Sequence, residues 1–150
     1  MTDVPFSVGD VVELTVGPVA HGGHFVARVP PAADAPDGAR DVVVFVRHAV
    51  TGERVRVRIT EVDKSFLRGD AVEVLEASPD RVEAPCVLAH PDGCGGCDFQ
   101  HVAVGHQREL KALVVREQLQ RLAGIESDVV VEAVPVPGRP DDGLGWRTRM

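Results

Sequence analysis

All three cysteines of the chain lie in one short stretch: Cys86, Cys94 and Cys97. In Cys94-Gly95-Gly96-Cys97 two residues separate two thiolates, close enough for both to reach one metal centre. The glycines between them let the backbone wrap with little steric cost. Cys86 can supply a third ligand through a short loop. Thiolate-only ligation selects zinc or an iron–sulfur cluster. Both are usually held by four ligands, so three cysteines leave one position to fill. For zinc, His90 or His101 has suitable spacing. A redox CxxC of the thioredoxin kind belongs beside a βαβ unit, and the residues before Cys94 show none. Inert buried thiols would need a core, which a Pro/Gly-rich loop does not offer. Spacing alone leaves zinc and an iron–sulfur cluster both open.

A second pattern could bind phosphate. Arg54-Val55-Arg56-Val57-Arg58-Ile59 alternates strictly, and a period of two puts the three arginines on one face of a strand. Arg47, Lys64 and Arg68 are near in sequence. Residues 47–68 carry six cations against Glu53, Glu61 and Asp63, a local net of +3. A row of guanidinium groups on a small barrel suits phosphate contacts and single-stranded nucleic acid. The opposing view is that outward charges on a strand serve solubility and block edge pairing. The stripe lacks interleaved aromatics, which argues against base stacking. Phe66, the nearest ring, is assigned to the core.

These groups need elements to hold them. Strands are expected at residues 8–16, 24–29, 41–47, 53–62 and 71–77, with turns at Gly22-Gly23 and Thr51-Gly52. The third is apolar on both faces and therefore central. Five short antiparallel strands with Gly-rich turns predict a small closed barrel, residues 1–78. Residues 79–101 contain Pro79, Pro85 and Pro91 and form an irregular Cys-rich loop. Residues 102–150 read as the start of a further domain. They include a helix at about 103–123, a strand at about 129–136, and Gly124 at the helix C′ position. Ala112, Val115, Leu119 and Leu122 mark its expected apolar stripe. One helix and one strand are too little to close a core alone. The fold class is mainly β with a smaller α/β part.

The chain has 150 residues, 44% of them hydrophobic and 26% charged, ordinary values for a folded domain. Val and Ala carry the apolar load, which favours sheet. The formal net charge of −7 argues weakly against nucleic acid as a whole-chain partner. No stretch approaches the roughly 20 apolar residues of a membrane helix, and the N-terminus lacks the regions of a signal peptide. A cytoplasmic monomer without membrane contact is expected, with its cysteines reduced.

The block Arg81-Val82-Glu83-Ala84-Pro85-Cys86, then Cys94-Gly95-Gly96-Cys97-Asp98-Phe99-Gln100-His101, resembles one family. It is that of the SAM-dependent RNA uridine-C5 methyltransferases that carry an N-terminal TRAM domain and an iron–sulfur motif. Gln107 and Lys111 fit the family's following helix. Gly9-Asp10, Gly22-Gly23 and Gly69-Asp70 look like a TRAM barrel, which is OB-like. Gly145-Trp146-Arg147-Thr148-Arg149 looks like its Tyr-Arg-Asn-Arg segment, with Trp146 for Tyr and Thr148 for Asn. The resemblance implies RNA binding (rRNA or tRNA) through the barrel. It implies that Cys86, Cys94 and Cys97 hold three positions of a [4Fe–4S] cluster, with a fourth cysteine outside this chain. It also implies SAM and the catalytic residues in a C-terminal domain absent here. No Gly-rich strand-to-helix loop marks a SAM site in this chain, and none of its cysteines is the nucleophile. On this reading the chain alone is inactive. A free-standing RNA-binding module and a small zinc protein are the competing expectations.

Overall fold

A computed structural model describes residues 6–31, 40–135 and 137–145. The alternating segments form five strands: β1 (Val11–Thr15), β2 (Phe25–Val29), β3 (Val42–Arg47), β4 (Arg54–Val62) and β5 (Phe66–Glu76). One helix follows, α1 (Val104–Ala123). β5 starts well before the expected residue 71, so Phe66, Arg68 and Gly69 belong to it.

The strands are ordered β1-β4-β5-β3-β2. Residues 16–20 run on from β1 and close the cylinder against β2. The Gly17 N–H donates to the Val26 carbonyl at 2.8 Å, and the Ala20 N–H to the His24 carbonyl at 2.7 Å. The result is the expected OB-like five-stranded barrel. One expectation is corrected: the strands are not all antiparallel, because β3 and β5 run parallel, with Val43 opposite Phe66 and Phe45 opposite Arg68. A closed ring of five strands cannot reverse direction at every step, since five is odd. One seam must be parallel.

Inward positions are mostly valine, with Phe25 and Leu67 as the larger side chains. Phe25, Val44, Val46, Val55, Val57 and Leu67 are fully buried. Register shifts along the β4–β5 ladder curve these long strands around the core. Two glycines permit close approach. A Cβ at Gly69 would lie 2.5 Å from Val57 Cγ1 and 2.7 Å from the Arg58 carbonyl oxygen; one at Gly17 would lie 2.6 Å from the Val26 carbonyl oxygen.

The helix ends as expected. Gly124 adopts the left-handed conformation at φ 66°, and its N–H donates to the Gln120 carbonyl. Its buried stripe differs from expectation. Leu110 and Ala112 are buried, while Val115 and Leu122 are exposed, Leu122 by 78%. Leu110, with Val114 at its edge, joins Val102 and Phe99 against the barrel core. Residues 103, 107, 110 and 114 therefore form the inward face of the first turns. The expected strand at 129–136 does not form over the described residues 129–135. Its alternation finds no neighbouring strand there, and Val130 and Val134 stay exposed. Residues 146–149 of the Trp-Arg-Thr-Arg segment lie outside the described residues.

Candidate functional site

The Cys-rich segment is a loop pinched at its base. Arg81 and Val102 form an antiparallel bridge. The Val82 N–H donates to the His101 carbonyl at 3.0 Å, and the Ala103 N–H to the Asp80 carbonyl at 2.9 Å. The pinch is fixed to the barrel by Glu53, which is fully buried in the turn between β3 and β4. Its carboxylate accepts from the Val50 N–H at 2.8 Å, the Ser78 N–H at 3.1 Å, and Arg81 Nε and Nη2 at 2.5 and 2.7 Å. Arg81 Nη2 also donates to the His48 carbonyl. Burial alone would raise the Glu53 pKa. The hydrogen bonds from Arg81, Ser78 and Val50 outweigh it and hold the carboxyl below its ordinary value. His101, also buried, places Nε2 2.9 Å from the Ala49 carbonyl. Nothing local in the sequence marked Glu53 as the partner of Arg81, because the two meet only once the barrel is closed.

Above this base the loop is tied down again. Gln100 Oε1 accepts from the Cys86 N–H at 3.1 Å. Gln107 Nε2 donates to the Phe99 and Val102 carbonyls. The Gln-His pair thus has a positional meaning: one residue holds the first cysteine's backbone and the other anchors the loop's return. Two barrel arginines grip the loop from outside. Arg58 Nη2 donates to both Asp92 carboxylate oxygens at 2.7 and 2.8 Å. Arg47 Nη2 donates to Asp98 at 3.2 Å and faces the Gly95 carbonyl at 3.5 Å.

The three thiols are free. Cys94 and Cys97 are exposed and Cys86 is partly so. Gly95 has φ 67°, and the Gly96 N–H points at Cys94 Sγ at 3.5 Å. Among the described residues, no group of three or more His, Cys, Asp or Glu side chains is gathered closely enough to hold a metal ion. The donor set still suits a soft metal: three accessible thiols on a glycine-loosened loop whose root is rigid. His101 is buried at the root of the loop, and with Nε2 at the Ala49 carbonyl its Nδ1 is the ring atom left to act as a ligand.

The arginine stripe has the expected register. Arg54, Arg56 and Arg58 face out while Val55, Val57 and Ile59 face in. The neighbouring strands bring acids to it. Arg54 pairs with Glu13 and Glu76, and Arg56 with Glu73 at 2.6 Å. Arg68 on β5 lies 3.4 Å from Glu61. Lys64, in the turn between β4 and β5, has no ion pair among the described residues. Exposed pairs of this kind add little to stability, because water and salt screen them. Their consequence is electrostatic: the local net of +3 is cancelled by residues distant in sequence.

A second outer face, across β2, β3 and β5, escaped sequence reasoning. Phe66 is not in the fully buried core; it points outward and is partly exposed. The Phe45 ring centroid lies 5.5 Å from that of Phe66 at an interplanar angle of 74°. His24 stands edge-on to Phe45 at 6.3 Å, and the Arg68 guanidinium lies 5.5 Å from the centroid of the Phe66 ring. Burial lowers the His24 pKa, and Arg68 and Arg47 lower it further. The available signal was Phe45, hidden in an apolar run that reads as buried on both faces.

A family model described as the TRAM domain matches residues 5–72, which span all the barrel strands except the end of β5. The barrel is a TRAM domain. The chain is 46% identical to a protein of Streptomyces avermitilis named as an uncharacterized RNA methyltransferase, covering 95% of this chain and 33% of that protein. A protein of the same description from Streptomyces coelicolor is 48% identical, covering 95% and 31%. One from Halalkalibacterium halodurans is 35% identical, covering 97% and 28%. A conserved Methanococcus maripaludis protein of known solution structure is 32% identical, covering 48% of this chain and 89% of its own, with a TM-score of 0.37. The chain thus carries a TRAM-matching barrel and is similar, over nearly its whole length, to a portion of proteins named as RNA methyltransferases. It spans about a third of the length of the first relatives it matches. No helix among the described residues is long and apolar enough to cross a membrane.

Proposed function

We propose that this chain is the RNA-binding and metal-holding portion of a cytoplasmic, SAM-dependent RNA uracil-C5 methyltransferase. The observation that carries the reading is the Cys loop. Its root is fixed to the TRAM domain by Glu53–Arg81, its first cysteine is held through Gln100, and its thiols remain accessible. Cys86, Cys94 and Cys97 would hold three corners of a [4Fe–4S] cluster, and a cysteine outside this chain the fourth. Such a cluster, when bound, supplies a redox-sensitive cross-link between segments far apart in sequence.

The TRAM domain would bring rRNA or tRNA to the catalytic part of the protein, where SAM and the reacting residues would lie. Of the six basic residues singled out from sequence, Lys64, without an ion pair among the described residues, and Arg68, which lies over Phe66 although its Nε is 3.4 Å from Glu61, are the best placed for RNA. Arg47 and Arg58 hold the Cys loop, and Arg54 and Arg56 face acidic neighbours on β1 and β5.

The test uses the complete protein, purified without oxygen. Iron and sulfide in near-equal amounts are expected, together with SAM-dependent formation of 5-methyluridine in RNA, read by mass spectrometry of nucleosides. Stoichiometric zinc without iron would overturn the cluster. Methylation of another base or position would overturn the uracil-C5 assignment.

A further inference from the structure

We propose that Phe45, Phe66 and His24 on the outer face of β2, β3 and β5, with Arg68 over Phe66, form a platform on which unpaired RNA bases stack. The inference rests on the RNA-binding reading above and states how the RNA is held.

Four observations converge. First, the aromatic face is built by register. Parallel pairing sets Val43 beside Phe66 and Phe45 beside Arg68, and antiparallel pairing sets Val26 beside Phe45. Each outward row across the three strands therefore sets an aromatic ring and a valine beside one arginine: Val26, Phe45 and Arg68 in one, Arg28, Val43 and Phe66 in the next. The two phenylalanines are covered only in part, by each other, His24 and Arg68, and the rest of the pair faces outward on the barrel. Second, the rings are not parallel. At 74° they make two walls of a notch, so a flat base can lie on one wall with its edge toward the other. Third, the cations are suited to nucleic acid. The Arg68 guanidinium is planar and already lies against a ring face, so it extends the stacking surface. Lys64 precedes Phe66 by two residues in an exposed turn and has no ion pair among the described residues. Arg28 is exposed on β2. Phosphates passing beside the notch would meet these charges. Fourth, His24 is held toward its neutral form by burial and by Arg68 and Arg47. It adds a flat ring at the rim without a charge that would need a counter-ion.

The location fits the occupant. His24 ends the connection from β1 to β2, and Lys64 lies in the connection from β4 to β5. In OB-type barrels these two connections flank the strand surface that takes oligonucleotides. Stacking on rings and guanidinium planes tolerates any base, so the platform would position an unpaired stretch of RNA while a catalytic site elsewhere chooses the uridine. A double-stranded segment would not fit, because its bases are already stacked on one another.

The experiment titrates the complete, metal-loaded protein with two labelled strands of equal length and charge: a single-stranded oligouridylate and an abasic ribose-phosphate strand. The wild type is expected to bind the oligouridylate more tightly. Phe45→Leu with Phe66→Leu keeps apolar bulk but removes the rings. It is expected to lose most of that preference, about tenfold in affinity per ring, while binding of the abasic strand stays within about twofold. Circular dichroism on the same variant checks the barrel, and Phe45→Tyr with Phe66→Tyr should restore the preference. Equal wild-type affinity for the two strands would overturn the platform and leave RNA binding standing. So would a Leu variant that keeps its preference. Failure to bind either strand at low salt would overturn the RNA-binding reading and the platform with it.

Discussion

Two faces of one barrel differ in kind. The face of β1, β4 and the far end of β5 carries Arg54 and Arg56 but also Glu13, Glu73 and Glu76, and the charges pair off. The face of β2, β3 and the near end of β5 carries Arg28 and Arg68, with Lys64 at its rim, and there the cations sit beside partly exposed rings. Counting charge along the chain favours the first face; assembling the sheet favours the second. Cross-strand neighbours lie about 5 Å apart whatever their sequence separation. Glu73 neutralises Arg56 as effectively as a residue next to it would. A basic stretch of sequence is thus a poor guide to a basic surface whenever the adjacent strands are acidic.

The strongest way to break the comparison is to remove what both faces stand on. Glu53→Ala leaves Arg81 part-buried without its carboxylate. A loss of about 3–5 kcal/mol in unfolding free energy is expected, measured by denaturant titration, with both faces and the Cys loop lost together. A smaller effect confined to the loop would mean that the barrel does not depend on this node.

Acidification should act on the same region by degrees. Burial holds the His101 pKa below its ordinary 6.5, reinforced by Arg81 and opposed by the Ala49 carbonyl. The unfolded chain therefore binds this proton more readily than the folded one. Stability is complete above pH 6.5 and falls as the pH drops below it. Glu53 works in the same direction lower down: its carboxyl is held below 4.5, so its contribution is lost as the pH falls under that value. Melting temperature against pH should decline in two stages. His101→Gln should flatten the upper stage, and a curve unchanged by that substitution would remove His101 as its cause.

The smallest effect expected sharpens the contrast. Arg56→Gln breaks one exposed pair and should change stability by less than about 1 kcal/mol. RNA affinity should stay within about twofold, measured by fluorescence anisotropy. A tenfold loss would restore the charged face as an RNA contact.

The barrel was legible because β4 obeys a period of two and the turns carry glycine where positive φ is needed, as at Gly52. The helix was legible from its length and its Gly124 terminator. Its buried stripe was not, since Val115, Leu119 and Leu122 keep helical spacing while the parts of the molecule described here offer nothing for them to cover. The alternation at 129–135 failed for a similar reason: a strand needs a neighbour, and periodicity cannot supply one. Phe45 was misjudged in the opposite sense. An apolar run was read as buried on both faces, whereas its outer face is only partly covered. The three cysteines stand out in the sequence by their spacing. The residues that position them, Gln100, Arg81 and Glu53, come from three places in the chain, and their relation appears only in the folded molecule.

The central claim is that RNA meets this protein on the β2–β3–β5 face of the TRAM domain. Photocrosslinking of uridine-bearing single-stranded RNA to the complete protein, with the linked peptides mapped by mass spectrometry, tests it most directly. Crosslinks are expected at Phe45, Phe66 and their neighbours. Crosslinks confined to the peptide bearing Arg54 and Arg56 would contradict it.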